Sequence, residues 1–202
     1  NARANGGGLG SEANASLVAF GWFGLTLASM ILPMFIDFTD MFHAVIELAY
    51  AGMIGALLLN HLLALGGRGD SPIQVSSWFI IMAHLSMFWA LLIRTCNLLI
   101  SGDLASEMEL ADLAWFADRV VFGWFPLAMF LAVLYHVIPK VSGAPIWSRS
   151  LTLISYSLVF ASVPVLGMSE TAVSGDVMLT FTAVLTVVGL IPLLAASSNL
   201  IS

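Results

Sequence analysis

Long apolar runs separated by short polar stretches fill this chain, and within the runs polar and apolar positions do not alternate. Six runs, Leu17–Phe35, Phe42–Leu65, Trp78–Ile100, Val120–Ile138, Leu151–Gly167 and Val177–Ala196, come near the roughly 20 residues that a helix needs to cross a bilayer core. Strands of a membrane barrel would alternate with period two. The pattern therefore predicts an all-α, polytopic transmembrane helical bundle of about six spans, whose backbone polar groups pair within each helix. Residues 1–16 are read as a polar N-terminal tail without structure, and residues 17–202 as a single six-helix transmembrane domain. The tail has no initiating Met and contains Gly6-Gly7-Gly8, so it reads as a processed or incomplete start. No internal repeat stands out.

Composition makes lipid the solvent: 60% of the 202 residues are hydrophobic and 9% are charged, with a mean hydropathy of +1.01. The net charge of -6 lies in the connecting segments, which excludes nucleic acid, a partner that demands clustered Lys and Arg. The single cysteine, Cys96, leaves no intrachain disulfide to form. If the spans alternate, Arg3, Arg68, Lys140 and Arg149 share one side. Asp37, Asp40, Asp103, Glu107, Glu109, Asp112, Glu170 and Asp176 then share the other. Because cytoplasmic loops retain cations, both termini are expected in the cytoplasm, the segment Ser101–Ala117 outside, and the protein in a bacterial inner membrane.

Ionisable groups at membrane depth cost a few kcal/mol each on insertion scales and are functional candidates by default. His43 and Glu47 stand four residues apart on one face of the second run, a spacing that converges two side chains. They read either as a metal-ligand pair or proton relay, or as a site where Glu47 cancels the charge of Arg94 or Arg119. His61, His84 and His136 sit on three different runs. Two of them would suffice to sandwich the iron of a heme b, and the alternative is interfacial placement with hydrogen bonds to neighbouring helices. Pro33, Pro126, Pro164 and Pro192 are expected to kink their helices. No Cys-x-x-Cys, His-Glu-x-x-His, Walker or Gly-x-Gly-x-x-Gly motif occurs, so soluble-enzyme chemistry has no foothold.

A resemblance emerges in the middle of the chain. Pro72-Ile73-Gln74-Val75-Ser76-Ser77-Trp78-Phe79 and Asn97, then Leu134-Tyr135-His136-Val137-Ile138-Pro139-Lys140, then Pro145-Ile146-Trp147-Ser148 and Leu151, carry it. Together they resemble the central helices of subunit I of heme-copper oxidases, in the C-type cytochrome c oxidase and nitric oxide reductase branch. The likeness runs from Arg68 to about Glu170 and is densest between Pro139-Lys140 and Ser148. It departs from the family at the metal. Arg119 stands where the first copper-ligating His belongs, and Ser169 and Glu170 stand where the His-His pair belongs. An Arg repels copper, and Ser and Glu do not replace two imidazoles for it. The helices that carry the family's heme histidines lie outside the matched stretch.

That resemblance implies a non-catalytic accessory or structural subunit of a respiratory-type electron-transfer complex. Other membrane subunits and the bilayer are its implied partners, and the subunit has no cofactor of its own. Arg94 and Arg119 are then candidate partners for a heme propionate held by a neighbour. A second expectation is a b-type cytochrome that uses two of His61, His84 and His136. A third is a proton or ion pathway through Glu47, Arg94, Arg119 and Glu170, against which the apolar middle of most spans speaks.

Overall fold

The computed structural model describes residues 12–35, 40–67, 73–100, 114–143, 145–162 and 176–201. Every regular element among them is helical: α1 Glu12–Ile31, α2 Asp40–Gly66, α3 Val75–Ile100, α4 Ala114–Ser142, α5 Arg149–Ser162, α6 Asp176–Val188 and α7 Leu190–Ile201. Five helical stretches are long and apolar enough to cross a membrane, and α5 is a shorter apolar helix. The protein is thus an all-α membrane bundle, as its pattern predicts.

The boundaries differ from expectation in ways that local chemistry explains. α1 begins at Glu12 rather than Leu17, because Ala13, Asn14, Ala15 and Ser16 are compatible with a first helical turn ahead of the apolar run. The fourth span extends back to Ala114, so Asp118 and Arg119 lie within a helix. The last span is broken at Gly189, whose N–H bonds Leu185 O at 2.7 Å. Pro192 follows in the first turn of α7 and has no N–H to give the preceding turn. The end of the expected fifth span, residues 163–167, lies outside the described residues, as do Arg3, Arg68, Asp37, Pro164, Ser169, Glu170 and most of the segment Ser101–Ala117.

Two compact units divide the chain: residues 2–72 with 84–117, and residues 73–83 with 118–202. In the first, α1 packs on α2. Tyr50 organises that contact, with its ring 4.7 Å from Trp22, edge to face, and its hydroxyl sharing a 3.0 Å hydrogen bond with Thr26 Oγ1. A Cβ at Gly21 would come within 3.2 Å of Met53 Cε, so the small residue lets the two helices approach closely.

In the second unit, α5 packs most extensively against α7. α4 stops at Gly143, whose φ of 66° is the left-handed C-terminal cap that glycine adopts without cost. α5 restarts at Ser148, whose Oγ accepts from Leu151 N at 3.3 Å as an N-cap. Asn199 on α7 then clamps this start: Ser148 N donates to its Oδ1 at 2.7 Å, and its Nδ2 donates to Ser148 O at 2.9 Å and Thr152 Oγ1 at 2.7 Å. One turn further, Ser155 Oγ donates to Pro192 O at 3.0 Å. Hydrogen bonds of this kind hold membrane helices together where lipid supplies no hydrophobic drive.

Candidate functional site

Charge compensation comes first. Glu47 on α2 and Arg94 on α3 form an ion pair, with Arg94 Nε donating to Glu47 Oε1 at 3.0 Å. Both belong to the first unit, and their side chains are 16% and 33% exposed. Of the two arginines that could cancel Glu47, Arg94 is the partner. The antiparallel register of α2 and α3 explains the choice. Gly55 faces Phe88, whose Cε2 lies 3.4 Å from the position a Gly55 Cβ would take, and His61 is within electrostatic reach of His84. Stepping back along α2 from those pairs brings Glu47 level with Arg94. His43, one turn before Glu47, is exposed, and no group of three or more His, Cys, Asp or Glu able to hold a metal occurs among the described residues.

The three histidines fall in the two units. His61 lies within electrostatic reach of His84 in the first unit, and its Nε2 is buried with no hydrogen-bond partner among the described residues. His136 lies half-buried on α4 in the second unit. Next to it, Tyr135 stacks on Phe79 with centroids 5.4 Å apart. Phe79 and Trp78 each meet Tyr156 edge to face, at 5.5 and 6.0 Å. Arg149 lies 5.9 Å over the Trp78 ring, a cation–π arrangement. Tyr135 is 4% exposed, and its hydroxyl has no partner among the described residues.

Arg119 is placed by an irregularity that the sequence pattern did not reveal. Residues Val120–Trp124 form a π turn, closed by Phe125 N–H on Val120 O. Pro126 follows directly and cannot donate to the preceding turn, and such a proline is one of the few causes of a disturbed helical ladder. The Arg119 side chain runs along its own helix over Gly123, with Cδ 3.6 Å and Nε 3.7 Å from where a Gly123 Cβ would stand. Arg119 Nε and Trp124 Nε1 are both buried and have no acceptor among the described residues. A guanidinium so placed does not fit copper, which it would repel.

Fold and partly buried polar groups together define the class: an integral membrane helical bundle whose α2 and α3 are joined by the Glu47–Arg94 ion pair. Neither models of known protein families nor the sequences of curated proteins match this chain.

Proposed function

We propose that this chain is a catalytically silent, oxidase-like membrane subunit that lends packing surface to an electron-transfer complex whose other subunits carry the redox centres. The observation that carries this reading is Arg119. At the position aligned with a copper-ligating His, the chain has a guanidinium bedded against Gly123, a group that excludes the metal electrostatically. The Glu47–Arg94 pair supports it further, since a neutralised pair contributes no mobile proton or free ligand. On the same reading the protein resides in a bacterial inner membrane with both termini in the cytoplasm, following the distribution of its cations.

That His61 and His84 lie in one unit within electrostatic reach favours a second reading, a b-type cytochrome whose iron these two imidazoles would hold. A heme would supply one-electron transfer there. Against it stands the tight packing of Phe88 on Gly55, fewer than two turns from His61, because a porphyrin between α2 and α3 needs those helices held apart.

Affinity isolation from native membranes tests the first reading. Heme and oxidase activity should accompany the chain in mild detergent and leave it when its partners are stripped away. Recovery of the chain alone, with no redox-active subunit at any detergent strength, would contradict it.

A further inference from the structure

In the second unit two cations flank the turn from α4 to α5. Lys140 lies in the last turn of α4 and Arg149 opens α5. Both are exposed, and neither forms an ion pair among the described residues. The two helix ends treat a cation differently. The C-terminal carbonyls of α4 favour Lys140, whereas the N-terminus of a helix is the positive end of its dipole. Arg149 therefore adds positive charge where that sign is already disfavoured, and α5 has no acidic residue in its first turn to offset it. The Trp78 ring, with its centroid 5.9 Å from Arg149 Cζ, attracts the guanidinium but brings no negative charge. What this corner lacks is an anion.

Depth identifies the anion. α4 has 29 residues, about 43 Å at 1.5 Å per residue, against a hydrocarbon core of about 30 Å, so a centred helix overhangs by about four residues at each end. Lys140, third from the C-terminal end of α4, is in that overhang. α3 has 26 residues and overhangs by about three at each end, which sets Trp78, its fourth residue, at the boundary with Arg149 over it. Trp147, between the two cations in sequence, is 65% exposed, as befits an amphipathic ring at the level where membrane proteins concentrate tryptophan. We propose that this corner docks anionic phospholipid, with Lys140 and Arg149 each attracting a headgroup phosphate of its own. No shared acceptor is needed, because phosphates occupy the whole plane at this depth and each basic residue there is drawn to an anionic surface separately. The surface belongs to the helical bundle and does not rest on the proposed function.

The test incubates the full chain in mild detergent with equimolar phosphatidylglycerol and phosphatidylcholine, removes free lipid by size exclusion and counts retained lipid by mass spectrometry. At roughly fivefold per cation, wild type should prefer phosphatidylglycerol about 25-fold. Lys140→Gln and Arg149→Gln should each leave about fivefold, and the double variant should come near unity. Arg149→Lys keeps the charge and should keep the preference. Raising salt from about 0.1 to about 1 M, which shortens the Debye length from about 10 to about 3 Å, should weaken it. Circular dichroism confirms that each variant is folded. Undiminished preference in the folded double variant, or equal retention of the two lipids by wild type, overturns the proposal. A wild type without preference that gains one in Asp70→Asn would assign the cations to that carboxylate, which lies outside the described residues, and overturns it as well. Displacement of phosphatidylglycerol by a molar excess of inorganic phosphate at constant ionic strength would make the ligand a free anion and overturn the lipid as its source; retention supports the lipid.

Discussion

Arg94 Nε donates to Glu47 Oε1 at 3.0 Å, and this bond joins α2 to α3 within two stretches long and apolar enough to cross a membrane. Removing one member strands the other in a low-dielectric setting, which costs about 3–5 kcal/mol for a buried pair, whereas apolar replacement of both is often neutral. Glu47→Met and Arg94→Met should each lower stability by about 3 kcal/mol, and the double variant should recover most of that loss. Unfolding by SDS titration from mixed micelles reads all three; strictly additive losses would show that the two side chains act separately.

Asn199 makes three hydrogen bonds to Ser148 and Thr152. At roughly 0.6 kcal/mol per interhelical bond in a membrane, Asn199→Ala should cost about 2 kcal/mol. The loss should be local. Hydrogen exchange should quicken at Ser148, Leu151 and Thr152, whose amides bond Asn199 Oδ1, Ser148 Oγ and Ser148 O, while α1 and α2 keep their protection. Uniform loss of protection would mean that the clamp holds more than the α5–α7 contact.

Tyr135 offers the opposite case. Its ring stacks on Phe79 while its buried hydroxyl has no partner among the described residues, so the hydroxyl contributes desolvation cost and no bond to them. Tyr135→Phe should leave stability unchanged or raise it by up to about 1 kcal/mol, whereas Tyr135→Ala should lose about 3 kcal/mol with the ring. A Phe variant as damaged as the Ala variant would reveal a hydrogen bond made by the hydroxyl in the membrane.

Hydropathy alone gives the fold class, because uninterrupted apolar runs of this length leave only helices as a solution. Individual contacts were less legible. Charge compensation limited the partner of Glu47 to Arg94 or Arg119, but the choice depends on the register of α2 against α3, which Gly55 and Phe88 fix by shape. The π turn at Val120–Trp124 escaped the pattern because Pro126 signals a kink without saying how the helix absorbs it. Asn199 escaped as well. Its partners lie 51 and 47 residues away, and the available signal was that Ser148, Thr152, Ser155 and Asn199 are polar positions on apolar helices, where such residues act as interhelical bonds. The grouping of the histidines is visible only in the structure: His61 lies within electrostatic reach of His84 in one unit, and His136 belongs to the other.

A reduced-minus-oxidised visible spectrum, with a pyridine hemochrome assay, on the folded chain purified alone in mild detergent tests the central claim most directly. A silent subunit gives a flat difference spectrum while circular dichroism shows a fully helical protein. A stoichiometric b-type band, lost in His61→Phe or His84→Phe, would contradict the claim and make the chain an electron carrier in its own right.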